Sequence, residues 1–196
     1  EVLTEAVMHC EVDRQTETEV LEGIRVDVEK ALSDVRVGVE DWESIRGKLN
    51  EVLQDLESEP PTLAEDELEE GKAFLEWVDN NHFTFLGYRE YDLVSAKGED
   101  LLRSVANSGL GLLRNPEGAV VSKSFSALSL ERRREARSPH LLVITKGNIR
   151  STVHRPTFMD YIGVKRFNKK GDVIGEHRFL GLYTSAAYNR NPRSIP

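Results

Sequence analysis

HFTFLGYREYDL, residues 82–93, is the stretch whose reading decides the fold. It is dense in aromatic and other β-prone side chains and contains no proline, so it reads as a strand. Working downstream, residues 95–100 (SAKGED) make a turn and residues 101–106 return as a hairpin partner. Asn107-Ser108-Gly109-Leu110-Gly111 is a second turn region. Residues 127–137 are short, basic and read as helical. Residues 141–145 (LLVIT) are continuously apolar, as for a buried strand, and residues 151–154 suit another strand. Residues 161–167 and 173–183 flank Asn168-Lys169-Lys170-Gly171-Asp172, a hairpin whose glycine is available for positive φ. Five or six antiparallel strands with few helices predict an α+β domain, not a parallel doubly wound one. Residues 184–188 read as the start of another helix.

Upstream of residue 82 the period changes. Leu21, Val28, Val35, Trp42, Leu49 and Leu56 recur every seven residues, with Ile24, Ala31, Ile45 and Val52 three places on. This is a heptad seam, the pattern of one helix packed along another. Gly38 is the gap in the second row. The β-branched run around it predicts a kink or break there. Thr16 with Glu19, and Thr62 with Glu65, fit capping boxes. Glu59-Pro60-Pro61 separates the two helices so marked, and Leu68, Phe74, Leu75 and Val78 give the second an apolar stripe. The seam suits a dimerising coiled coil, an intrachain helical hairpin, or a helix packed on its own domain. The short Pro-Pro connection favours antiparallel neighbours. Residues 7–12 alternate like a strand, and a lone strand needs partners. The chain is therefore expected to be a piece of a longer protein, with those partners upstream.

The 196 residues carry a net charge of −8, and this sum hides a split. Residues 1–80 hold 24 acidic against 7 basic side chains, a balance of −17, and residues 81–196 hold 10 against 19, a balance of +9. With 39% hydrophobic residues, a core can form and wholesale disorder is excluded. There is no apolar run long enough to span a bilayer. A single cysteine, Cys10, excludes an intrachain disulfide and a cysteine-based zinc site, and a reducing cytoplasmic setting is expected. No membrane partner is expected.

Few residues carry obvious chemistry. Gly109-Leu110-Gly111-Leu112-Leu113-Arg114 has arginine where the third glycine of a dinucleotide fingerprint belongs, and no βαβ context surrounds it. The five histidines, His9, His82, His140, His154 and His177, lack metal-ligand spacing. Cys10 lacks an activating neighbour. Arg132-Arg133-Arg134 with Arg137, and Lys165, Arg166, Lys169 and Lys170, form two basic clusters. Phosphate binding is the sharp reading of these. The acidic half would repel a polyanion, so a match between the basic domain and the acidic helices is preferred and no nucleic-acid partner is expected. Arg150-Ser151-Thr152-Val153-His154-Arg155-Pro156 is the most unusual string. Guanidinium forks beside hydroxyl and imidazole donors suit a carboxylate or phosphate. Arg150, Ser151, His154 and Arg155, joined by Lys165 or Arg178, are therefore candidates for an effector site or an intersubunit clamp. The same groups could instead secure a strand end.

Several strings resemble the amino-terminal region of the large bacterial NAD-specific glutamate dehydrogenases. They are MHCEVDRQT (8–16), VGVEDWESIRGKL (37–49), HFTFLGYREYDL (82–93), SGLGLLR (108–114), RSTVHRP (150–156), MDYIGVKRF (159–167) and RFLGLYTSAAYNRNPRSIP (178–196). The likeness covers most of the chain in one collinear order. It implies a strand from the end of an ACT-like module at residues 1–14. An acidic helical connector or hairpin follows at 15–80, then a PAS-like α+β domain at 81–184 and the start of a linker helix at 185–196. It also implies a regulatory or assembly role without catalytic residues, in a homo-oligomeric parent that uses NAD to deaminate L-glutamate to 2-oxoglutarate. No cofactor is expected in this segment. A small anionic effector, or helix-mediated oligomerisation, are the alternative roles.

Overall fold

The structure, a computed structural model, describes residues 7–96, 99–114 and 138–188. The elements are α1 (Thr18–Ser58), α2 (Glu65–Trp77), β1 (Phe83–Ala96), β2 (Glu99–Ser104), β3 (Leu110–Gly111), β4 (Leu142–Arg150), β5 (Phe158–Phe167), β6 (Val173–Tyr183) and α3 (Ser185–Tyr188). The basic helix expected at residues 127–137 lies outside the described residues.

All strand pairs are antiparallel, in the order β2-β1-β6-β5-β4, with β3 pairing on β1. β2 pairs with residues 91–96 of β1 and β3 with Gly87 and Tyr88, while β6 pairs with residues 83–92. β2 and β3 thus share one side of β1, and β6 takes the other. The α+β expectation holds, as does the hairpin at residues 168–172. There Asn168 Oδ1 accepts the Lys170 and Asp172 N–H groups at 2.8 and 3.0 Å, and Gly171 takes φ +84°.

One sheet face presents Phe83, Phe85, Tyr88, Ile162, Val164 and Phe179. Against it pack Ile45, Leu49, Val52 and Leu56 of α1, with Leu75 and Trp77 of α2. The second half of the acidic helical region therefore shares one core with the sheet. α2 runs antiparallel to the end of α1: the Pro-Pro connection joins them at one end, and Arg46 Nε meets Asp79 Oδ1 at 2.7 Å at the other. A wide turn at Val78–His82, with Asn81 at φ +59°, redirects the chain into β1. The opposite sheet face carries a smaller apolar cluster of Leu86, Met159, Leu180 and Leu182.

Several local expectations fail for identifiable reasons. α1 is continuous through Gly38, because its neighbours on the domain side hold it: Gly38 is buried and faces the Leu86 side chain. Neither capping box forms; α1 and α2 start at Glu17 and Ala64 caps without a side-chain hydrogen bond. The apolar run at 141–145 is not a buried strand. β4 is an end strand of the sheet among the described residues, Ile144 is 49% exposed, and within 141–145 only Leu141, just ahead of β4, is fully buried. Apolar composition reports hydrophobicity, not a strand's place in the sheet. Residues 151–154 form a bent connection rather than a strand. Residues 7–12 form no strand, since no described strand lies beside them. The heptad seam is buried only from Ile45 onward; Leu21, Val28, Val35 and Trp42 are exposed.

Candidate functional site

Antiparallel register gathers polar side chains on the sheet face away from the helices. Lys165 of β5 lies opposite Glu176 of β6, and Gly163 opposite Arg178. Across the next pair, Arg89 and Tyr91 of β1 lie opposite Arg178 and Glu176. Side chains on directly opposed positions share a face, so Arg89, Tyr91, Lys165, Glu176 and Arg178 form one patch, which Tyr161 joins from two residues along β5. The Arg178 guanidinium sits 4.1 Å from the Tyr91 ring centre and 4.9 Å from that of Tyr161, a cation stacked between two π faces. Its Nη2 and Nε donate to Glu176 Oε1 at 2.5 and 3.1 Å. Arg89 donates to the Leu113 carbonyl, and Lys165 Nζ donates to that of Ser138 at 2.5 Å. Lys165 and Glu176 are buried.

Burial draws the Arg178 guanidinium down, but the flanking phenols and the Glu176 carboxylate outweigh it and hold the pKa above its ordinary value. Desolvation, reinforced by the Glu176 charge, pushes the Tyr161 phenol well up. The patch is therefore an arginine–glutamate pair whose guanidinium lies between two tyrosine rings. Among the described residues, this face brings Arg89, Lys165 and Arg178 together with the Glu176 carboxylate.

The loop candidates stand elsewhere. Ser151 is buried and spent on its own turn: its Oγ donates to the Val153 carbonyl at 2.6 Å and accepts the Val153 N–H at 3.1 Å. His154 is exposed, in the left-handed region at φ +64°. The Arg150 guanidinium lies 5.2 Å over the Phe158 ring, and Arg155 Nη2 donates to the Tyr183 carbonyl at 2.9 Å. Thr152 Oγ1 donates to Asp34 Oδ2 of α1 at 2.6 Å, tying the loop to the helix. Arg155 meets β6 at Tyr183, five residues from Arg178, roughly 17 Å along a strand. Lys165 and Arg178 thus share a face, while Arg150 ends β4 and Ser151, His154 and Arg155 lie in the loop that follows it. Arg89, Tyr91, Tyr161 and Glu176 were missed; only the pairing register, which no local periodicity supplies, would have found them.

Acidic helix and basic sheet do meet. Asp41 Oδ1 accepts Arg114 Nη2 at 2.6 Å and Asp41 Oδ2 accepts the Gly111 N–H at 2.6 Å. Burial alone would push this carboxyl up, but Arg114 and the Gly111 N–H hold it below its usual value. Gly111, at φ +58°, leaves no room for a side chain, since a Cβ would fall 2.2 Å from the Leu86 carbonyl oxygen. The Gly109–Gly111 stretch is thus a closed turn on an antiparallel edge. No parallel strand pair exists among the described residues, so these residues do not form a dinucleotide cradle. No group of three or more potential metal ligands occurs among the described residues. No described helix is long and apolar enough to cross a membrane.

No protein-family profile matches the chain. Curated relatives do match it, among them three named NAD-specific glutamate dehydrogenase. The Halomonas elongata protein is 34% identical over 98% of this chain, and the Pseudomonas aeruginosa protein 35% identical over all of it. The Mycobacterium tuberculosis protein is 26% identical over 99%. The chain spans only 12% of the length of the first two and 11% of the third. It is therefore similar along its whole length to one segment of these large enzymes.

Proposed function

We propose that the chain is a non-catalytic regulatory or assembly segment, from the amino-terminal region of a large NAD-dependent glutamate dehydrogenase. The parent would convert L-glutamate and NAD to 2-oxoglutarate, ammonium and reduced cofactor in the cytoplasm, as a homo-oligomer. One observation carries the reading: similarity across 98–100% of this chain to 12% of enzymes with that name. The antiparallel sheet, with its first and last long strands as central neighbours and helices on one face, supports a PAS-like domain. The closed Gly109–Gly111 turn supports placing NAD elsewhere in the parent. The experiment is to assay the purified chain with L-glutamate and NAD, then the parent enzyme with and without this segment. The chain alone is expected to show no turnover, and the truncated parent altered kinetics or assembly. Turnover by the chain would overturn the non-catalytic part, and an unchanged truncated parent the regulatory part.

A second reading rests on the exposed half of the heptad seam. Leu21, Val28, Val35 and Trp42 line one stripe of α1 and stay open to solvent. Such a stripe suits helix pairing between copies. Light scattering on the chain tests this: a concentration-dependent dimer supports it, and a monomer at all concentrations sinks it.

A further inference from the structure

A cleft of about 650 Å³ opens on the helix-covered side, between the end of α1 and the β5–β6 hairpin. That volume falls within the range of small-molecule sites. Its floor is apolar: Val52 and Leu56 from α1, Val164 and Phe167 from β5, and Ile174 from β6. Its two walls carry opposite charge. Asp55 and Glu59 line the helix side, where α1 ends with no basic residue in its last turn. The carbonyl end of a helix carries partial negative charge, so this wall attracts a cation. Lys165, Arg166, Lys169 and His177 line the hairpin side, and Lys165 Nζ donates to the Ser138 carbonyl at 2.5 Å. Arg166 is already committed to Glu90 and Asp92, at 2.7 and 3.1 Å. Lys169 pairs with no carboxylate among the described residues and is left as the open cation of that wall.

A simple anion here would meet Asp55 and Glu59, and a simple cation would meet Lys169. A phosphate-rich ligand would be repelled by the acidic wall. A molecule with one charge of each sign and an apolar body satisfies both walls and the floor. We propose that this cleft binds a free α-amino acid with a large apolar side chain. Its ammonium lies against Asp55 and Glu59, its carboxylate against Lys169, and its side chain on the floor. The floor area calls for a leucine- or phenylalanine-sized group rather than a methyl. The cleft borders the cationic patch at Lys165.

The binding claim stands on the cleft alone; only an effect on the parent's turnover rests on the regulatory reading. The test is a titration of the isotope-labelled chain with L-phenylalanine and L-leucine, followed by amide NMR. Parallel titrations use 3-phenylpropionate, which lacks the ammonium, and phenethylamine, which lacks the carboxylate. Saturable shifts confined to residues 52–62 and 164–177 are expected for the amino acids, with each single-charge analogue about tenfold weaker. Glu59→Gln and Lys169→Ala, both at exposed positions, are each expected to weaken binding about fivefold or more while the spectrum stays dispersed. Absence of saturable shifts, shifts elsewhere, or equal binding of an analogue would overturn the site. Binding without any change in the parent's turnover would leave the site standing and overturn the regulatory reading.

Discussion

His177 shows how one buried ring can register pH. Its Nδ1 shares a 2.8 Å hydrogen bond with the Tyr88 hydroxyl beneath α1. Burial, with help from the nearby Arg166 and Lys48 charges, lowers its pKa from 6.5 to about 4. The folded value lies below the unfolded one, so as pH falls the unfolded chain takes up the proton first. Stability is then full above about pH 6.5 and declines as pH drops toward about 4. The ceiling on this loss is about 3 kcal/mol, and the ring's residual solvent contact reduces it. Urea unfolding of wild type and His177→Gln should show a wild-type advantage at about pH 7 that shrinks by about 1–2 kcal/mol at about pH 4.5. A gap that stays constant between the two pH values would refute this. The sequence gives no hint of it: a histidine between two strand residues looks the same whether its face meets water or a helix. The same blindness hid Arg89 and Glu176, whose role depends on which residue stands opposite.

At the scale of elements, the long helix carries the clearest lesson. The heptad spacing of Leu49 and Leu56 with Ile45 and Val52 was legible and marks the buried stripe. The expected break at Gly38 was inferred from intrinsic propensity, a weak prior that tertiary contacts override. A Cβ built on Gly38 would lie 3.7 Å from Leu86 Cδ2, an ordinary contact. Gly38→Ala should therefore stabilise the chain by about 0.5–1 kcal/mol, by removing the glycine's flexibility in the unfolded state. Thermal unfolding checks this, and a lower midpoint would mean that the helix does need its glycine. The strands at residues 82–93, 161–167 and 173–183 were readable because alternation and turn chemistry agree there. β4 was misjudged as buried because an apolar run is silent about sheet edges, and the capping boxes because the helices start one and two residues further along, at Glu17 and Ala64.

For the molecule as a whole, the question is what lies across the seam. Ile45 is fully buried, whereas Val28 and Val35 are 52% and 40% exposed. Val28→Glu and Val35→Glu should each shift the stability of the monomeric chain by no more than about 0.5 kcal/mol. Ile45→Ala should remove about 2–5 kcal/mol. Denaturant midpoints at low concentration decide it, and losses of similar size would place the outer seam inside the fold of one chain. Among the described residues, the charge split is met by contacts between the helices and the sheet domain. Asp41 and Glu40 of α1 meet Arg114, Glu67 of α2 receives the Leu141 N–H at 2.9 Å, and Arg166 is neutralised inside the sheet.

Composition, periodicity and turn residues by themselves determined an α+β chain with a long amphipathic helix, an antiparallel sheet and the Asn168–Asp172 hairpin. Each follows from information a few residues apart: a 3.5-residue repeat, a two-residue alternation, a glycine with room for positive φ. The tertiary structure alone decided which half of the seam is buried and that helices and sheet share a core. It also decided that Arg178 pairs with Glu176 and lies between two tyrosine rings, and that Asp55 and Lys169 line one cleft. Those facts depend on pairing between residues far apart in the chain, and burial and register are properties of the assembled pair rather than of either partner.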